Sequence, residues 1–456
     1  MSGASSPTDV STRLQRIAEL ARRAPDMVIT TLAHHIDVDF LLEAFRRTRK
    51  DAATGVDGQT ADDYAKNLEE NLRSLLDRFK SGTYRAPSVR RVHIPKGDGT
   101  KTRPIGVPTF EDKVLQRAVA MVVNAVYEQD FRKCSFGFRP GRSAHQALDV
   151  LWKGLMEMHG GWVLEVDIQV FFDTLGHRHL RSFLDQRVQD GVLRKTIDKW
   201  LKAGVFEQGS VSYPEEGTPQ GGVISPLLAN IYLHEVLDKW FEDAVKPQLR
   251  GCAFLVRYAD DFVIVFSLKS DAQRVMEALP KRFGNFGLAL HPEKTRLVSF
   301  RRPKSSPDPK GPKGGLQPGT FDLLGFTHYW GKSRREFWMV KRKTAKTRFR
   351  RGLKRISEWC RRNRHSPVAD QHHQLVVKLK GHAAYFGITG NWEALTRFRL
   401  EMVRTWRKWL ARRSQRAFIS SERLKSLLTR YPLPTPVVVH SIYRSQQNRH
   451  PKSRMR

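Results

Sequence analysis

The chain has 456 residues, 40% of them hydrophobic, and 80 Lys and Arg against 46 Asp and Glu give a formal net charge of +34. This length allows two or three domains with cores of their own, and this charge predicts a polyanionic partner whose binding weakens with salt. No apolar run approaches the ~20 residues that span a bilayer, and the N-terminus lacks a signal-peptide core, so nucleic acid is favoured over a membrane. The three cysteines are far apart and form no CxxC pair, which argues against a disulfide framework or zinc module and predicts a reducing, cytoplasmic setting.

After a short helical pattern over residues 14–21, three longer helices are predicted in the N-terminal part of the chain. Helical periodicity covers residues 37–49 and returns over residues 60–80, where Thr60 begins a helix start signal. A longer amphipathic helix is predicted from Glu111 to about Tyr127.

A basic hairpin is predicted between the second and third of these helices. Residues 90–108 have the pattern of a strand, a glycine turn and a second strand. Lys96, Lys101 and Arg103 lie on or near the turn. They form either a solvated basic hairpin or a basic finger that reaches a triphosphate, because cations offset phosphate charge during phosphoryl transfer.

Two further motifs follow in the middle of the chain. An apolar run from Trp162 ends at Asp167, as expected for a ligand delivered by a buried strand, although this pattern alone does not decide whether Asp167 binds a metal. Residues 217–231 form a Gly/Pro turn that opens a helix, with Ser225 as the expected N-cap and Pro226 as the first helical residue.

Residues 252–266 consist of two apolar, β-rich runs that flank Tyr258-Ala-Asp-Asp261. Such runs predict buried strands, and Asp favours tight turns, so the two acids are expected at the bend of a hairpin. Adjacent carboxylates between hydrophobic strands repel each other and resist desolvation. A divalent cation removes both difficulties, and hard oxygen ligands suit Mg²⁺. The alternative is a solvated Asp-Asp turn.

The C-terminal part is strongly basic. After a Pro/Gly/Lys/Ser linker at 301–320 and a strand at 321–328, residues 341–364 hold twelve Lys or Arg and one acid, with apolar residues at helical spacing. This pattern predicts a basic helix with one packed face. Its cations either form a solvated face or contact a nucleic-acid backbone, and the overall charge favours the second. Further helix is predicted at 375–379 and 392–409, and residues 381–387 are predicted to interrupt it.

The three acids together predict a chemistry. A strand carboxylate, Asp167, and a hairpin pair, Asp260 and Asp261, can hold two Mg²⁺ ions about 3.5–4 Å apart. One ion would activate a 3′-hydroxyl and the other would stabilise the leaving pyrophosphate, which is nucleotidyl transfer without a side-chain general base.

The ordered motifs from about residue 40 to residue 440 resemble those of bacterial group II intron-encoded proteins, which are reverse transcriptases and maturases. The resemblance is carried by Thr54-Gly-Val-Asp-Gly58, Pro95-Lys96, Arg103-Pro-Ile-Gly-Val-Pro108, Phe136-Gly-Phe-Arg-Pro-Gly-Arg-Ser143, Asp167-Ile-Gln-Val-Phe-Phe172, Thr218-Pro-Gln-Gly-Gly-Val-Ile-Ser-Pro-Leu-Leu-Ala-Asn-Ile-Tyr232, Tyr258-Ala-Asp-Asp261, His291-Pro-Glu-Lys-Thr295 and Gly381-His-Ala-Ala-Tyr-Phe-Gly387. It implies an α+β right-hand polymerase with an antiparallel palm sheet and a helical thumb. The expected segments are an N-terminal extension at 1–85, fingers at 86–160, palm at 161–335, thumb/maturase domain at 336–430 and a basic tail at 431–456.

The resemblance also implies roles for single residues. Asp167, Asp260 and Asp261 would bind two catalytic Mg²⁺ ions. The nucleotide-contacting set would be Lys96 and Arg103 on the triphosphate, Phe172 under the sugar, Gln220 near the template base and Lys294 on the primer or its phosphates. From the basic stretch we expect nucleic-acid contacts by Lys341, Arg342, Lys343, Arg348, Arg350, Arg351, Lys354 and Arg355. Asp173 is not included among the predicted metal ligands. Its side chain would lie on the same side as that of Asp167 only if the strand remained regular over the six residues between them.

The implied function is RNA-directed DNA polymerisation with dNTPs and a DNA primer or target, together with binding and assisted splicing of an intron RNA, in the nucleoid-associated bacterial cytoplasm. Alternatives are a maturase with a vestigial polymerase site, a domesticated reverse transcriptase in defence or DNA repair, and a basic RNA chaperone. Two departures from the family pattern are Gln169, where a basic residue is common, and a C-terminal sequence without a recognisable HNH endonuclease motif.

Overall fold

The computed structural model describes residues 7–96, 101–207, 209–213, 216–217, 221–303, 318–414 and 418–441, with the side chains of residues 7, 8, 96 and 101 left aside. The predicted glycine turn at 97–99, Gln220, and most of the predicted linker and tail lie outside these residues. The helices are α1 (Pro7–Arg23), α2 (Val38–Arg47), α3 (Ala61–Ala65), α4 (Leu68–Lys80), α5 (Phe110–Asp130), α6 (Ala144–Glu157), α7 (His177–Asp185), α8 (Gly191–Leu201), α9 (Ser225–Leu233), α10 (Lys269–Gly284), α11 (Lys346–Arg362), α12 (Val368–Phe386), α13 (Trp392–Leu410) and α14 (Ser421–Arg430). The strands are β1 (Val89–Lys96), β2 (Lys101–Val107), β3 (Gly160–Val166), β4 (Val205–Glu207), β5 (Ser210–Ser212), β6 (Ala253–Tyr258), β7 (Asp261–Phe266), β8 (Arg296–Arg301), β9 (Phe321–Leu323), β10 (Phe326–Lys332) and β11 (Trp338–Thr344).

The chain divides into two compact units. The first contains residues 1–147 and 166–297, and the second contains residues 148–165 and 298–456. The α+β class and the helical C-terminal region are confirmed, whereas the five predicted segments group residues differently and stay predictions. None of the helices in the described parts is long and apolar enough to cross a membrane.

Helix α5 forms the centre of the helical part of the first unit. Its residues Val114, Leu115, Ala118 and Val122 are fully buried, and helices α1 and α2 pack against it. Thr109 caps the helix by accepting a hydrogen bond from the Asp112 backbone N–H, which satisfies one of the free donors of the first turn. The predicted helix is therefore confirmed and extends three residues beyond Tyr127.

Other helix starts also follow their local sequence. Asp37 caps α2, and Thr60 caps α3 with a reciprocal capping box to Asp63. Helix α9 begins at Ser225, so its N-cap is Ile224 rather than Ser225, a difference of one residue.

The strands of the first unit include a four-stranded sheet in the order β2-β1-β4-β5. Strands β1 and β2 pair antiparallel with Ile94 opposite Arg103, which confirms the predicted strand pair. Strands β6 and β7, neighbours in another sheet, pair antiparallel with Tyr258 opposite Asp261.

The second unit combines the sheet β11-β10-β9 with helices α11 to α14. Its helical core contains Leu375, Phe398, Met402 and Trp406, which are at most 2% exposed.

Two local predictions were wrong in this unit. Residues 341–344 belong to strand β11, and the basic helix begins at Lys346, because Val340 and Arg342 alternate into the interior. Gly381 does not interrupt α12, which continues to Phe386. A glycine costs a helix only about 1 kcal/mol, and burial of Leu375 and Leu379 holds this one together.

Candidate active site

Asp260 lies in the two-residue turn between strands β6 and β7. The preceding residue, Ala259, is buried and has a φ of 57°, a left-handed conformation that glycine adopts more easily and that suits the twist of a tight hairpin. Burial raises the pKa of the Asp260 carboxyl above its ordinary value, and the nearby Asp167 carboxylate raises it further, while Arg103 and Arg257 lower it. Asp261 follows as the exposed first residue of β7.

Asp167 follows directly after strand β3, and its backbone is fixed to the segment 289–291. The Gln169 N–H donates to the Ala289 carbonyl at 2.8 Å, and the His291 N–H donates to the Asp167 carbonyl at 2.8 Å. This pairing brings Lys294 to Asp167, and the two side chains form an ion pair. Hydrogen bonds between distant segments thus place Asp167 and Lys294 together, and the effect of the Asp167 charge on the Asp260 pKa places Asp260 nearby.

The donor set suits a divalent metal ion, although it is not a preformed cluster. Within the described parts of the chain, no group of three or more His, Cys, Asp or Glu side chains is arranged to hold a metal ion. Asp167 and Asp260 are nevertheless close enough for one carboxylate to raise the pKa of the other. Neighbouring desolvated carboxylates are hard oxygen donors whose repulsion a divalent cation would relieve.

The charge of Arg103 acts on Asp260 and also on another acid, Asp173. Arg103 is exposed on β2, and its charge lowers the pKa of both Asp260 and Asp173. The Asp173 pKa is still raised by burial, and Arg91 opposes that effect together with Arg103. Sequence reasoning missed Arg91, which lies on β1 near the predicted phosphate-binding residues.

Phe172 is half-buried, with its ring 5.4 Å from the buried Phe171 in an edge-on arrangement. Gly217, which begins the predicted Gly/Pro turn, packs against this segment so closely that a Cβ would lie 2.8 Å from the Asp173 carbonyl oxygen. Gly217 is therefore held against the backbone of Phe172 and Asp173. Gln220 and the side chain of Lys96 lie outside the described residues, so the nucleotide contacts expected of them stay predictions.

Residues 94–328 match the family model described as reverse transcriptase (RNA-dependent DNA polymerase). The chain belongs to the reverse transcriptase family. It is 34% identical over 329 residues to the protein YkfC of Escherichia coli, covering 64% of this chain and 81% of that protein. It is 39% identical over 233 residues to the group II intron-encoded protein LtrA of Lactococcus lactis, covering 50% of this chain and 38% of LtrA. It is also 30% identical over 238 residues to nuclear intron maturase 2 of Arabidopsis thaliana, covering 40% of this chain and 31% of that protein.

These relatives confirm the resemblance drawn from the motifs. The family's description and the intron-encoded relative both support RNA-directed DNA polymerase activity for this chain, with RNA as the template. Reverse transcriptases generally use divalent metal ions, which agrees with the acidic donor set.

A buried polar network in the first unit of this reverse transcriptase surrounds Arg257, immediately before the Tyr258–Asp261 segment. Arg257 and Asp238 are both 0% exposed and form a two-pronged ion pair, Nε to Oδ1 at 2.8 Å and Nη2 to Oδ2 at 2.5 Å. The remaining guanidinium donors reach the Asn230 Oδ1 at 3.0 Å, the Ser135 Oγ at 2.8 Å and the Ala259 carbonyl at 3.1 Å. Arg257 therefore holds the turn that carries Asp260.

Sequence reasoning missed this network. The one available signal was an arginine inside an otherwise apolar strand, since buried charges occur almost only in pairs. The side chains that pair with it lie 19 or more residues away along the chain, and no local pattern names them.

The basic residues expected to contact nucleic acid lie on β11 and α11 of the second unit. Lys343, Arg348, Arg350, Lys354 and Arg355 are exposed, and Lys341 and Arg351 are half-buried.

Arg342 does not belong with the other basic residues. It is 2% exposed and pairs with Asp149 at 3.3 Å. Its alternation into the interior of the unit favours a structural role and speaks against the nucleic-acid contact expected of it from the sequence.

Proposed function

We propose that this reverse transcriptase copies RNA into DNA at a two-metal site formed by Asp167, Asp260 and Asp261. The observation that supports this most strongly is the electrostatic coupling of Asp167 to Asp260 beside the charge of Arg103. Two carboxylates and an exposed cation are the groups that a metal-dependent nucleotidyl transfer requires.

The chain's own residues would each contribute a distinct part. Arg103, exposed and with a charge that acts on both Asp260 and Asp173, would neutralise the triphosphate. Phe172, held by the close approach of Gly217, would fill the space that a 2′-hydroxyl of the incoming sugar needs. Lys294 would exchange its carboxylate partner for a primer phosphate. Magnesium ions, when bound by the three aspartates, supply charge neutralisation and a lowered pKa of the 3′-hydroxyl.

We further propose that the RNA partner is a group II intron. The 39% identity to the intron-encoded protein LtrA supports this assignment, and so do the exposed cations of β11 and α11, since phosphate contacts dominate nucleic-acid affinity. Assistance to splicing would then be a matter of binding and stabilising folded RNA. In this proposal residues 86–160 act as fingers, 161–335 as palm and 336–430 as thumb/maturase domain.

Primer extension on an RNA template with Mg²⁺ tests the polymerase. Wild type is expected to extend a DNA primer, and Asp260→Asn is expected to abolish extension while the protein still binds RNA. Asp185→Asn is the matched control. The Asp185 carboxylate, at the end of helix α7, pairs with Arg194 at 3.0 Å and has no part in the proposed site. Extension by Asp260→Asn at the wild-type rate, or no extension by a folded wild type that binds RNA, would contradict the proposal.

A further inference from the structure

The loop Phe136–Arg139, next to the turn that carries Asp260, presents one aromatic side chain to solvent. Phe138 is 58% exposed, and its backbone has a φ of 56°. A left-handed conformation is costly for a residue other than glycine, asparagine or aspartate, and such strain concentrates at functional sites. Burial of the ring does not explain the conformation, because most of the ring is in water.

Both neighbours of Phe138 are fixed. Gly137 lies so close to the turn that a Cβ there would be 2.3 Å from the Ala259 backbone nitrogen, and its carbonyl accepts a hydrogen bond from the Asn230 Nδ2 at 2.7 Å. Arg139 is 6% exposed and pairs with Glu128 at 2.6 Å. The strained conformation is therefore imposed from both sides, and the ring is held in place before any ligand arrives.

The exposed ring lies beside Tyr258, the last residue of β6. The two ring centroids are 6.4 Å apart and the rings are tilted by 41°. Tyr258 stands two residues before Asp260. Phe138 and Tyr258 thus form an aromatic ledge next to the carboxylates of the candidate active site.

We infer that the aromatic ledge binds the 3′-terminal nucleotide of the primer, an inference that rests on the proposed polymerase function. The 3′-hydroxyl must reach Asp167 and Asp260, so the nucleotide that carries it must lie against the Tyr258–Asp260 segment. Phe138 offers a ring face without hydrogen-bonding groups, and contact between such a face and the terminal sugar is the same whichever base the nucleotide carries. A primer terminus, which changes its base at each addition, needs this tolerance.

The inference is tested by substitutions at Phe138 that distinguish loss of the aromatic ring from a change in backbone conformation. Phe138→Asn removes the ring with a residue that tolerates the left-handed backbone, and Phe138→Tyr keeps the ring. Phe206→Asn is the matched control, since Phe206 is a 36% exposed phenylalanine on β4. Binding is measured by fluorescence anisotropy of a labelled, dideoxy-terminated DNA primer annealed to an RNA template. The KM values for primer–template and for dNTP are measured by extension.

Phe138→Asn is expected to weaken primer–template binding about 5- to 150-fold, the range that contacts between nucleotides and aromatic side chains span. The KM for dNTP and the melting temperature should stay near wild type, and Phe138→Tyr and Phe206→Asn should bind as wild type does. Wild-type binding by Phe138→Asn would overturn the inference, as would a change confined to the KM for dNTP or an equal loss of affinity for unprimed RNA. Failure of the wild type to extend primers would instead overturn the proposed function, and the anisotropy measurement would still decide whether the ledge binds a primer.

Discussion

Replacing Arg257 with methionine should destabilise the first unit severely. The substitution would leave the Asp238 carboxylate, which is 0% exposed, buried without its counter-charge. Breaking a buried ion pair by removing one partner costs about 3–5 kcal/mol. That loss is a large share of the ~5–15 kcal/mol that holds a typical protein folded.

A double-mutant cycle measured by urea unfolding checks the magnitude. Arg257→Met and Asp238→Leu should each lower the free energy of unfolding strongly, and the double variant should recover a large part of the loss, because an apolar pair replaces the buried charges. The control is Arg49→Met, whose partner Asp51 lies in an exposed pair with side chains 76% and 73% exposed. That variant should unfold as wild type does.

The milder variant Arg257→Lys tests the link to function. Lysine keeps the charge but loses the planar fork that contacts Asp238, Asn230 and the Ala259 carbonyl together. We expect a folded protein with a lower kcat and an unchanged KM for dNTP, since the turn carrying Asp260 would lose a positioning contact. If Arg257→Met is as stable as wild type, the buried ion pair does not stabilise the first unit as described. Strictly additive effects of Arg257→Met and Asp238→Leu in the double-mutant cycle would contradict it equally.

Three further predictions concern other parts of the molecule. Val170 is exposed with a φ of 37°, so Val170→Gly should raise the free energy of unfolding by about 1 kcal/mol in urea titrations, because relief of strain exceeds the entropy cost of glycine. Burial lowers the pKa of the His328 imidazole to about 3, so below its ordinary pKa the unfolded chain binds more protons than the folded one. As the pH drops from 6.5 towards 3, this residue should lower the free energy of unfolding of the wild type by up to ~1.4 kcal/mol per pH unit. In thermal melts, His328→Phe should show a weaker dependence of stability on pH. Arg350→Gln should reduce the salt dependence of RNA binding by roughly 0.7–0.9 in log–log slope, whereas Arg342→Gln should lower the melting temperature and leave that slope unchanged.

Elements with local signals were predictable from the sequence. The strands around Tyr258-Ala-Asp-Asp261, the helix over 110–130 and the strand that ends before Asp167 each depend on apolar periodicity and turn residues within a short window. The carboxylates of Asp167 and Asp260 were expected together because each stood at the end of an apolar run.

What the sequence did not reveal depends on distant partners. Lys and Arg fit helices and exposed strands alike, so the strand β11 was mistaken for helix, and the burial of Arg342 follows from Asp149, far away in the chain. The contacts of Arg257 with Ser135, Asn230 and Asp238 likewise join three separate segments. Such pairings arise only when the fold brings those segments together.

The measurement that tests the central claim most directly is backbone cleavage by hydroxyl radicals generated from Fe²⁺ bound in place of Mg²⁺. If Asp167, Asp260 and Asp261 hold the metal ions, cuts should cluster around residue 167 and residues 258–261, and excess Mg²⁺ should suppress them. Asp260→Asn should abolish both clusters without loss of stability at neutral pH, since burial already raises the pKa of this carboxyl and its charged form is costly. Cleavage elsewhere, or cleavage that persists in Asp260→Asn, would contradict the account.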